Sequence, residues 1–166
     1  EARTAAEALR QAFPKRAGTL WFLIQGAERA GDADAQEALE REIGAMPCPD
    51  PVPLFWAVRQ ATARGRWREA EALLRRREAA LALHPAFWDH LGQVLLGLKR
   101  DGDAETAYRK ALALEANLPK ARNNLGLILY RRGDLAGAEA EFRQALRIQP
   151  DYMLARQNLD AVTARR

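Results

Sequence analysis

A chain of 166 residues with 48% hydrophobic and 29% charged residues has the length and composition of one folded domain. Alanine and arginine are frequent and β-branched residues are few, which predicts an all-α protein. The single cysteine, Cys48, excludes an internal disulfide framework and a thiolate metal cluster, and the longest apolar run, residues 20–24, is far shorter than the roughly 20 residues of a membrane span.

The net charge of +4 and the sequence pI of about 9.6 raise the question of nucleic acid binding. The arginines alternate with glutamates, as in REAEALLRRREAA at residues 68–80. Such alternation is typical of solvated helix faces that carry ion pairs between successive turns. We therefore expect no nucleic acid partner and no direct insertion into a membrane.

The N-terminal third of the sequence predicts three helices and a break. Residues 2–13 are weakly amphipathic up to Pro14, which predicts a capping helix, and residues 19–30 are apolar almost all round, which indicates burial on more than one side. A further helix is predicted over residues 34–45, with Asp32 or Asp34 as its N-cap. It ends in PCPDPVP at residues 47–53, which is either a stiff spacer or a local recognition loop.

Two irregularities mark the middle of the sequence. The ending AALALHP at residues 79–85 comes three residues later than in the other units, which predicts that the preceding helix is almost a turn longer than usual. Lys99 stands where a turn glycine is expected, and a glycine follows at Gly102. This pattern predicts that the helix before Lys99 continues and that the turn moves towards Gly102.

The clearest unit is residues 119–150, PKARNNLGLILYRRGDLAGAEAEFRQALRIQP. It predicts two amphipathic helices joined at Gly133, with the small residues Gly126, Ala138 and Ala145 allowing the two backbones to approach closely. One such hairpin cannot bury both apolar faces alone, so it requires similar neighbours. Residues 151–166 repeat its opening half and predict a capping helix, in which Asp160 replaces the small residue.

This unit recurs at a period of 34 residues. Several columns share the period, which is far harder to reach by chance than a single motif. They are the turn column Gly31, Gly65, Lys99, Gly133, the small-residue column Gln36, Ala70, Ala104, Ala138, the large-residue column Glu40, Leu74, Tyr108, Phe142, and the column at Leu23, Ala57, Leu91 and Leu125.

With this period and these columns the sequence resembles the tetratricopeptide repeat family. The motifs that carry the resemblance are Trp88, Leu91, Gly92, Ala104, Tyr108 and Ala111 in one unit, and Leu125, Gly126, Ala138, Phe142, Ala145 and Pro150 in the next. The resemblance implies an all-α, right-handed α-solenoid of about four helix-turn-helix repeats with capping helices at both ends. Its parts would be the N-terminal helix 1–14, a degenerate repeat 17–50, repeats 51–84, 85–118 and 119–150, and the C-terminal helix 151–166.

In this family the first helix of each repeat lines a concave groove that holds a segment of a partner protein. Amide and basic side chains there suit the backbone and the carboxylates of a peptide, and aromatic side chains suit an apolar anchor. Phe22, Trp56 and Trp88 are expected to be core residues instead. The resemblance places these residues in the groove: Trp21, Gln25, Phe55, Arg59, Asp89, Gln93, Lys120, Asn123, Asn124, Leu127, Tyr130 and Arg131.

Some members of the family grip the C-terminal carboxylate of a chaperone tail with Lys, Asn, Lys and Arg at fixed places. Asn124 fits that pattern, but Asp89 stands at the place of the first lysine, and Leu154 and Asn158 stand at the places of the last Lys and Arg. A chaperone-tail clamp is therefore not expected.

No constellation for catalysis, metal or cofactor binding stands out in the sequence. His84 and His90 have no partner at ligand spacing, and the Asp-Gly-Asp at residues 101–103 lacks the later ligands of a calcium loop. We expect a protein that is not an enzyme, needs no cofactor, and acts as an interaction scaffold or assembly adaptor. The alternatives are a self-association module, or a non-catalytic accessory domain of a larger enzyme or membrane-anchored assembly factor.

The location in the cell is open on this sequence. A soluble cytoplasmic protein is slightly favoured, with a periplasmic or membrane-tethered protein as the alternative. The chain begins at Glu1 rather than at a methionine, so a processed product and a piece of a longer protein are both compatible with it.

Overall fold

A computed structural model describes residues 51–165 and, before them, residues 23, 26, 27, 31, 32, 34, 35, 38 and 39. The predicted helix over residues 1–14, most of the degenerate repeat 17–50, and Cys48 lie outside the described residues. The chain divides into two compact units, Glu1–Arg76 and Arg77–Arg166.

Every regular element in the described residues is a helix, as the composition predicted. None of these helices is both long and apolar enough to cross a membrane. The first unit contributes α1 (Val52–Ala63) and α2 (Trp67–Arg75). The second unit contributes α3 (Glu78–Leu81), α4 (Pro85–Gly97), α5 (Asp101–Leu114), α6 (Pro119–Arg132), α7 (Leu135–Ile148) and α8 (Met153–Thr163).

The predicted period is visible in the backbone at the turns. Gly31, Gly65, Lys99 and Gly133 all have positive φ angles, of 68°, 72°, 62° and 88°. At all four of these turns the next residue donates its N–H to a carbonyl oxygen five residues back, over 3.0 Å at Asp32, 2.8 Å at Arg66, 2.9 Å at Arg100 and 3.0 Å at Asp134. This hydrogen bond is that of a Schellman helix end, which requires a left-handed residue just past the helix.

The structure corrects the prediction for the third turn. The helix before Lys99 does not continue, because α4 ends at Gly97 and Lys99 itself adopts the left-handed conformation. Gly102 lies in the first turn of α5, where a Cβ would meet nothing within 4 Å. The period therefore sets the position of the turn even where its residue is not glycine.

Replacing Lys99 by glycine is expected to stabilise the protein. The left-handed conformation costs a residue with a Cβ about 1–2 kcal/mol, and glycine avoids this strain. Glycine also loses more backbone entropy on folding, which offsets part of the gain. Lys99→Gly should therefore raise the free energy of unfolding by about 0.5–1 kcal/mol. Urea unfolding followed by circular dichroism measures this. Gly133→Lys at the equivalent turn is the matched control and should change the free energy in the opposite direction. If both substitutions changed the free energy of unfolding in the same direction, the left-handed conformation of Lys99 would not explain the effect.

The predicted lengthening of the helix before His84 is also wrong. Helix α2 ends at Arg75, and a separate short helix, α3, follows at residues 78–81. The additional residues are thus accommodated by a break rather than by a longer helix. The C-cap of α3 has a partner in the next helix, because Trp88 Nε1 donates to the carbonyl oxygen of Ala82 over 2.7 Å.

In the second unit, aromatic rings of the second helices rest on glycines of the first. A Cβ on Gly92 would lie 2.8 Å from Tyr108 Cε1, and a Cβ on Gly126 would lie 2.6 Å from Phe142 Cε1. Both rings are completely buried. Alanines on the second helices, such as Ala138 and Ala145, are buried as well, so the predicted close approach of the helices is confirmed.

These hairpins place the first helices side by side. Helix α4 contacts α6, and α6 contacts α8, while α5 and α7 pack against them from the other layer. Trp88 is buried at the α4 end of this layer, as predicted for a core residue. The layer of α4, α6 and α8 therefore carries any site that the first helices build in this unit.

Candidate functional site

Predicted groove residues of the second unit differ strongly in exposure. Gln93, Lys120 and Arg131 are exposed, and the partly exposed members are Asp89, Asn124, Leu127 and Tyr130. Asn123 is only 2% exposed. The layer of α4, α6 and α8 thus has accessible polar side chains at its surface and an amide underneath them.

The remaining predicted groove residues belong to the first unit. Phe55 is half-buried and Arg59 is exposed, both on α1. Trp21 and Gln25 lie outside the described residues. Trp56, predicted as a core residue, is partly buried and packs against a cluster of Leu23, Ala27 and Leu39, whereas Phe22 lies outside the described residues.

A chain of hydrogen bonds crosses the layer below its surface. Asn158 Nδ2 on α8 donates to Asn123 Oδ1 on α6 over 2.8 Å, and Asn123 Nδ2 donates to Asn124 Oδ1 over 3.5 Å. Asn124 Nδ2 donates in turn to the hydroxyl oxygen of Tyr108 on α5 over 2.9 Å. These side chains, which we call the amide chain, connect three helices through groups that would otherwise be costly to bury.

Asp89 is the charged residue next to the amide chain. Burial raises the pKa of its carboxyl group, while His90 and Lys120 act in the opposite direction. Burial and the Asp89 carboxylate both raise the pKa of Tyr152, and they raise that of Tyr108 as well. Among the residues that the structure describes, Asp89 Oδ1 is buried without a hydrogen-bond partner.

Asp89→Asn is expected to stabilise the folded protein at neutral pH. A carboxyl group whose pKa is higher in the folded than in the unfolded state destabilises folding only where it is ionised. That effect is absent below the pKa of the unfolded chain, develops as the pH rises to the folded-state pKa, and is constant above it. The variant should therefore gain most over the parent protein at pH 7, and the gain should shrink below about pH 4.

Urea unfolding of both proteins at a series of pH values tests this prediction. Comparing the two at each pH cancels the titration of the other carboxylates. The groups that face Asp89 are His90, Lys120, Tyr108 and Tyr152, and all four are retained in the variant. A gain in stability that does not depend on pH would contradict the raised pKa.

Ion pairs occupy one edge of the layer. Arg131 contacts Asp101 over 3.4 Å and Arg132 contacts Glu105 over 2.9 Å, which ties α6 to α5. The guanidinium of Arg165 lies 4.9 Å from the ring centroid of Tyr130. Arg131 therefore has part of its charge compensated within the protein, whereas Gln93 and Lys120 make no hydrogen bond or ion pair within the described part of the chain.

Two tyrosines of this site, Tyr108 and Tyr152, were not predicted from the sequence. Tyr108 was assigned to a packing column, although the equivalent residues Leu74 and Phe142 have no hydroxyl group. A phenol at a core position usually indicates a polar partner, and that signal pointed to Asn124. Tyr152 follows the hairpin that ends at Pro150. Its position in the sequence is that of an ordinary residue at the start of a helix, so it gave no signal of a role in the site.

Metal binding finds no support in the described residues, since no three His, Cys, Asp or Glu side chains cluster there. His90 Nδ1 lies 2.8 Å from the carbonyl oxygen of Ala86 one helical turn earlier. Asp103 pairs with Arg100 over 2.7 Å in the first turn of α5. These contacts use the residues that a metal or calcium site would need.

Comparison with protein families gives the decisive match. Tetratricopeptide repeat models match residues 85–118 and residues 102–153. Residues 85–153 are thus similar to tetratricopeptide repeats. The matched segments cover the helices α4 to α7, in which the glycine-aromatic contacts and most of the amide chain lie. No curated protein sequence matches this chain significantly.

Several solved structures share the fold. MamA superposes with a TM-score of 0.74 at 16% identity, over 89% of this chain and 81% of MamA. The first tetratricopeptide domain of Spaghetti (RPAP3), bound to the HSP90 peptide SRMEEVD, gives 0.62 at 19% identity, over 65% of this chain and 86% of that domain. The type III secretion chaperone SycD of Yersinia enterocolitica, in complex with a peptide of the translocator YopD, gives 0.61 at 15% identity, over 68% and 91%. At these identities the likeness shows the fold alone, an all-α helical repeat solenoid.

Proposed function

We propose that this chain is a protein-interaction scaffold whose tetratricopeptide repeats hold a peptide or helical segment of another protein against the layer of α4, α6 and α8. The observation that carries the proposal is the row of accessible side chains at matching register on consecutive first helices. Gln93 and Leu127 occupy the same repeat position on α4 and α6, and Lys120 lies two turns before Leu127.

The chemistry of this row suits a polypeptide. The carboxamide of Gln93 both donates and accepts hydrogen bonds, as a peptide backbone requires, and Leu127 and Tyr130 offer partly exposed apolar surface beside it. The amide chain beneath fixes the helices that present these residues. Two related folds support the proposal by what they contain: Spaghetti holds an HSP90 peptide and SycD holds a YopD peptide.

The test uses random linear peptides displayed in a library and selected on the full chain. Fluorescently labelled versions of the selected peptides then give affinities by anisotropy. Combined Gln93→Ala and Leu127→Ala substitutions should weaken binding about tenfold or more, because both remove contacts from the centre of the layer.

A matched pair on the other layer controls for this test. Thr106 and Leu114 are exposed on α5, and Thr106→Ala with Leu114→Ala removes one polar and one leucine side chain in the same way. That pair should leave the affinities unchanged. Equal losses in both pairs, or a library that yields no binding peptide, would reject this layer as the binding surface.

A further inference from the structure

We propose that Asp89 receives a lysine or arginine side chain of the bound peptide, so that this surface selects partners with a basic residue at one defined position. The proposal rests on the proposed function and adds the charge of the ligand to it. It starts from the Asp89 side chain, which is partly exposed and whose Oδ1 atom is buried without a hydrogen-bond partner among the described residues.

No side chain around Asp89 in the described part of the chain compensates the charge of its carboxylate with a hydrogen bond or an ion pair. The hydroxyl oxygen of Tyr108 accepts from Asn124, and its O–H makes no hydrogen bond to Asp89 Oδ1. The carboxamide of Asn124 is engaged by both Tyr108 and Asn123. Lys120 is near enough to favour the charged form of Asp89, yet the two make no ion pair. Lys120 is exposed, so it contributes positive potential at the rim rather than a hydrogen bond to Asp89.

A cationic side chain complements this position by charge and by its hydrogen-bond donors. An ionised carboxylate only accepts hydrogen bonds, and ammonium and guanidinium groups only donate them. Tyr108 and Tyr152 both interact electrostatically with Asp89, so both phenol groups lie near the carboxylate. The partly exposed ring of Tyr152 offers apolar surface to the methylene stem of a lysine or arginine side chain.

The Asp89 carboxylate disfavours an acidic ligand. A carboxylate placed at Asp89 would put two negative charges together in a partly desolvated site, which is strongly unfavourable. The acidic peptide SRMEEVD, which the Spaghetti domain holds, should therefore bind this chain poorly. It serves as the negative probe in the experiment.

The experiment compares peptide preferences of the parent chain with those of Asp89→Asn and Asp89→Lys. Peptides selected on the parent chain should share a lysine or arginine at one position, and its replacement by methionine should weaken binding about tenfold or more. The same replacement should cost little with Asp89→Asn. Selection on Asp89→Lys should yield aspartate or glutamate at that position, and SRMEEVD should bind this variant better than the parent chain.

The outcomes separate the two proposals. Peptides that bind in a Gln93- and Leu127-dependent way, but with the same charge preference on the parent chain and on Asp89→Asn, would overturn the assignment of Asp89 and leave the scaffold function standing. A library that yields no such peptides would overturn both. Asp89→Asn keeps the size of the side chain and removes a buried charge, so circular dichroism should confirm that it folds.

Discussion

Phe142→Ala is expected to lower the free energy of unfolding by about 3–5 kcal/mol, the largest effect of any single substitution considered for this protein. The ring is completely buried, and its Cε1 atom occupies the space that a Cβ on Gly126 would take, 2.6 Å away. Its removal leaves a cavity between α6 and α7 that neither helix can close without moving its backbone. Urea unfolding followed by circular dichroism measures the loss.

The control for Phe142→Ala is a truncation outside the core. Met153 is 69% exposed on α8, so Met153→Ala should change the free energy of unfolding by no more than about 0.5 kcal/mol. Comparable losses in the two variants would mean that Phe142 does not hold the hairpin together.

Gly126 gives an independent test of the same contact. With Phe142 present, Gly126→Ala is expected to cost about 1–3 kcal/mol, because the ring cannot give way to the new methyl group without strain. In the Phe142→Ala background the methyl group enters the cavity, and the cost should vanish or change sign. Gly102→Ala, in open space on α5, should be stabilising by about 0.5–1 kcal/mol. Additive effects of Gly126→Ala and Phe142→Ala would exclude the contact.

These contacts explain why much of the fold was predictable. A glycine on one helix is paired with an aromatic residue on the next helix twice in the sequence, at Gly92 with Tyr108 and at Gly126 with Phe142. Steric fit at such a pair fixes the register of the hairpin. The spacing of the columns therefore predicted the helices and their close approach.

The same contacts explain the failed prediction at Lys99. Moving the turn by three residues towards Gly102 would break the packing contact between Tyr108 and Gly92 and rotate Ala104 out of the core. Both residues are completely buried. The loss of that packing would exceed the cost of a left-handed lysine, which is about 1–2 kcal/mol. Packing therefore determines the position of the turn, against the conformational preference of lysine.

The candidate site was predictable in register but not in exposure. The family pattern placed Asn123 on the face of the first helices, and it does lie on α6 in the layer of first helices. Whether the following helix covers that side chain depends on Asn158, which donates to it from α8 over 2.8 Å. A hydrogen bond between residues 35 positions apart leaves no periodic signal in one sequence. The burial of Asp89 Oδ1 was likewise not predictable from its repeat position alone.

Asn123→Ala is expected to lower the free energy of unfolding by about 1–3 kcal/mol. The substitution removes the acceptor of Asn158 and the donor to Asn124, and Asn123 is too buried for water to replace either. The loss should appear in urea unfolding and in faster amide hydrogen exchange at the ends of α6 and α8. Gln157, one repeat further on in the same column, is exposed on α8, so Gln157→Ala is the matched control and should be nearly neutral.

The two amide substitutions also separate architecture from binding. Asn123 has no accessible surface to offer a peptide, so its loss should weaken binding only in proportion to the population that unfolds. Gln93→Ala should weaken peptide binding and leave the stability unchanged. The Gln93 side chain is exposed and has no partner to lose within the described residues. If Asn123→Ala abolished peptide binding at full stability, Asn123 would contact the ligand directly, and the amide chain would have to open when a peptide binds.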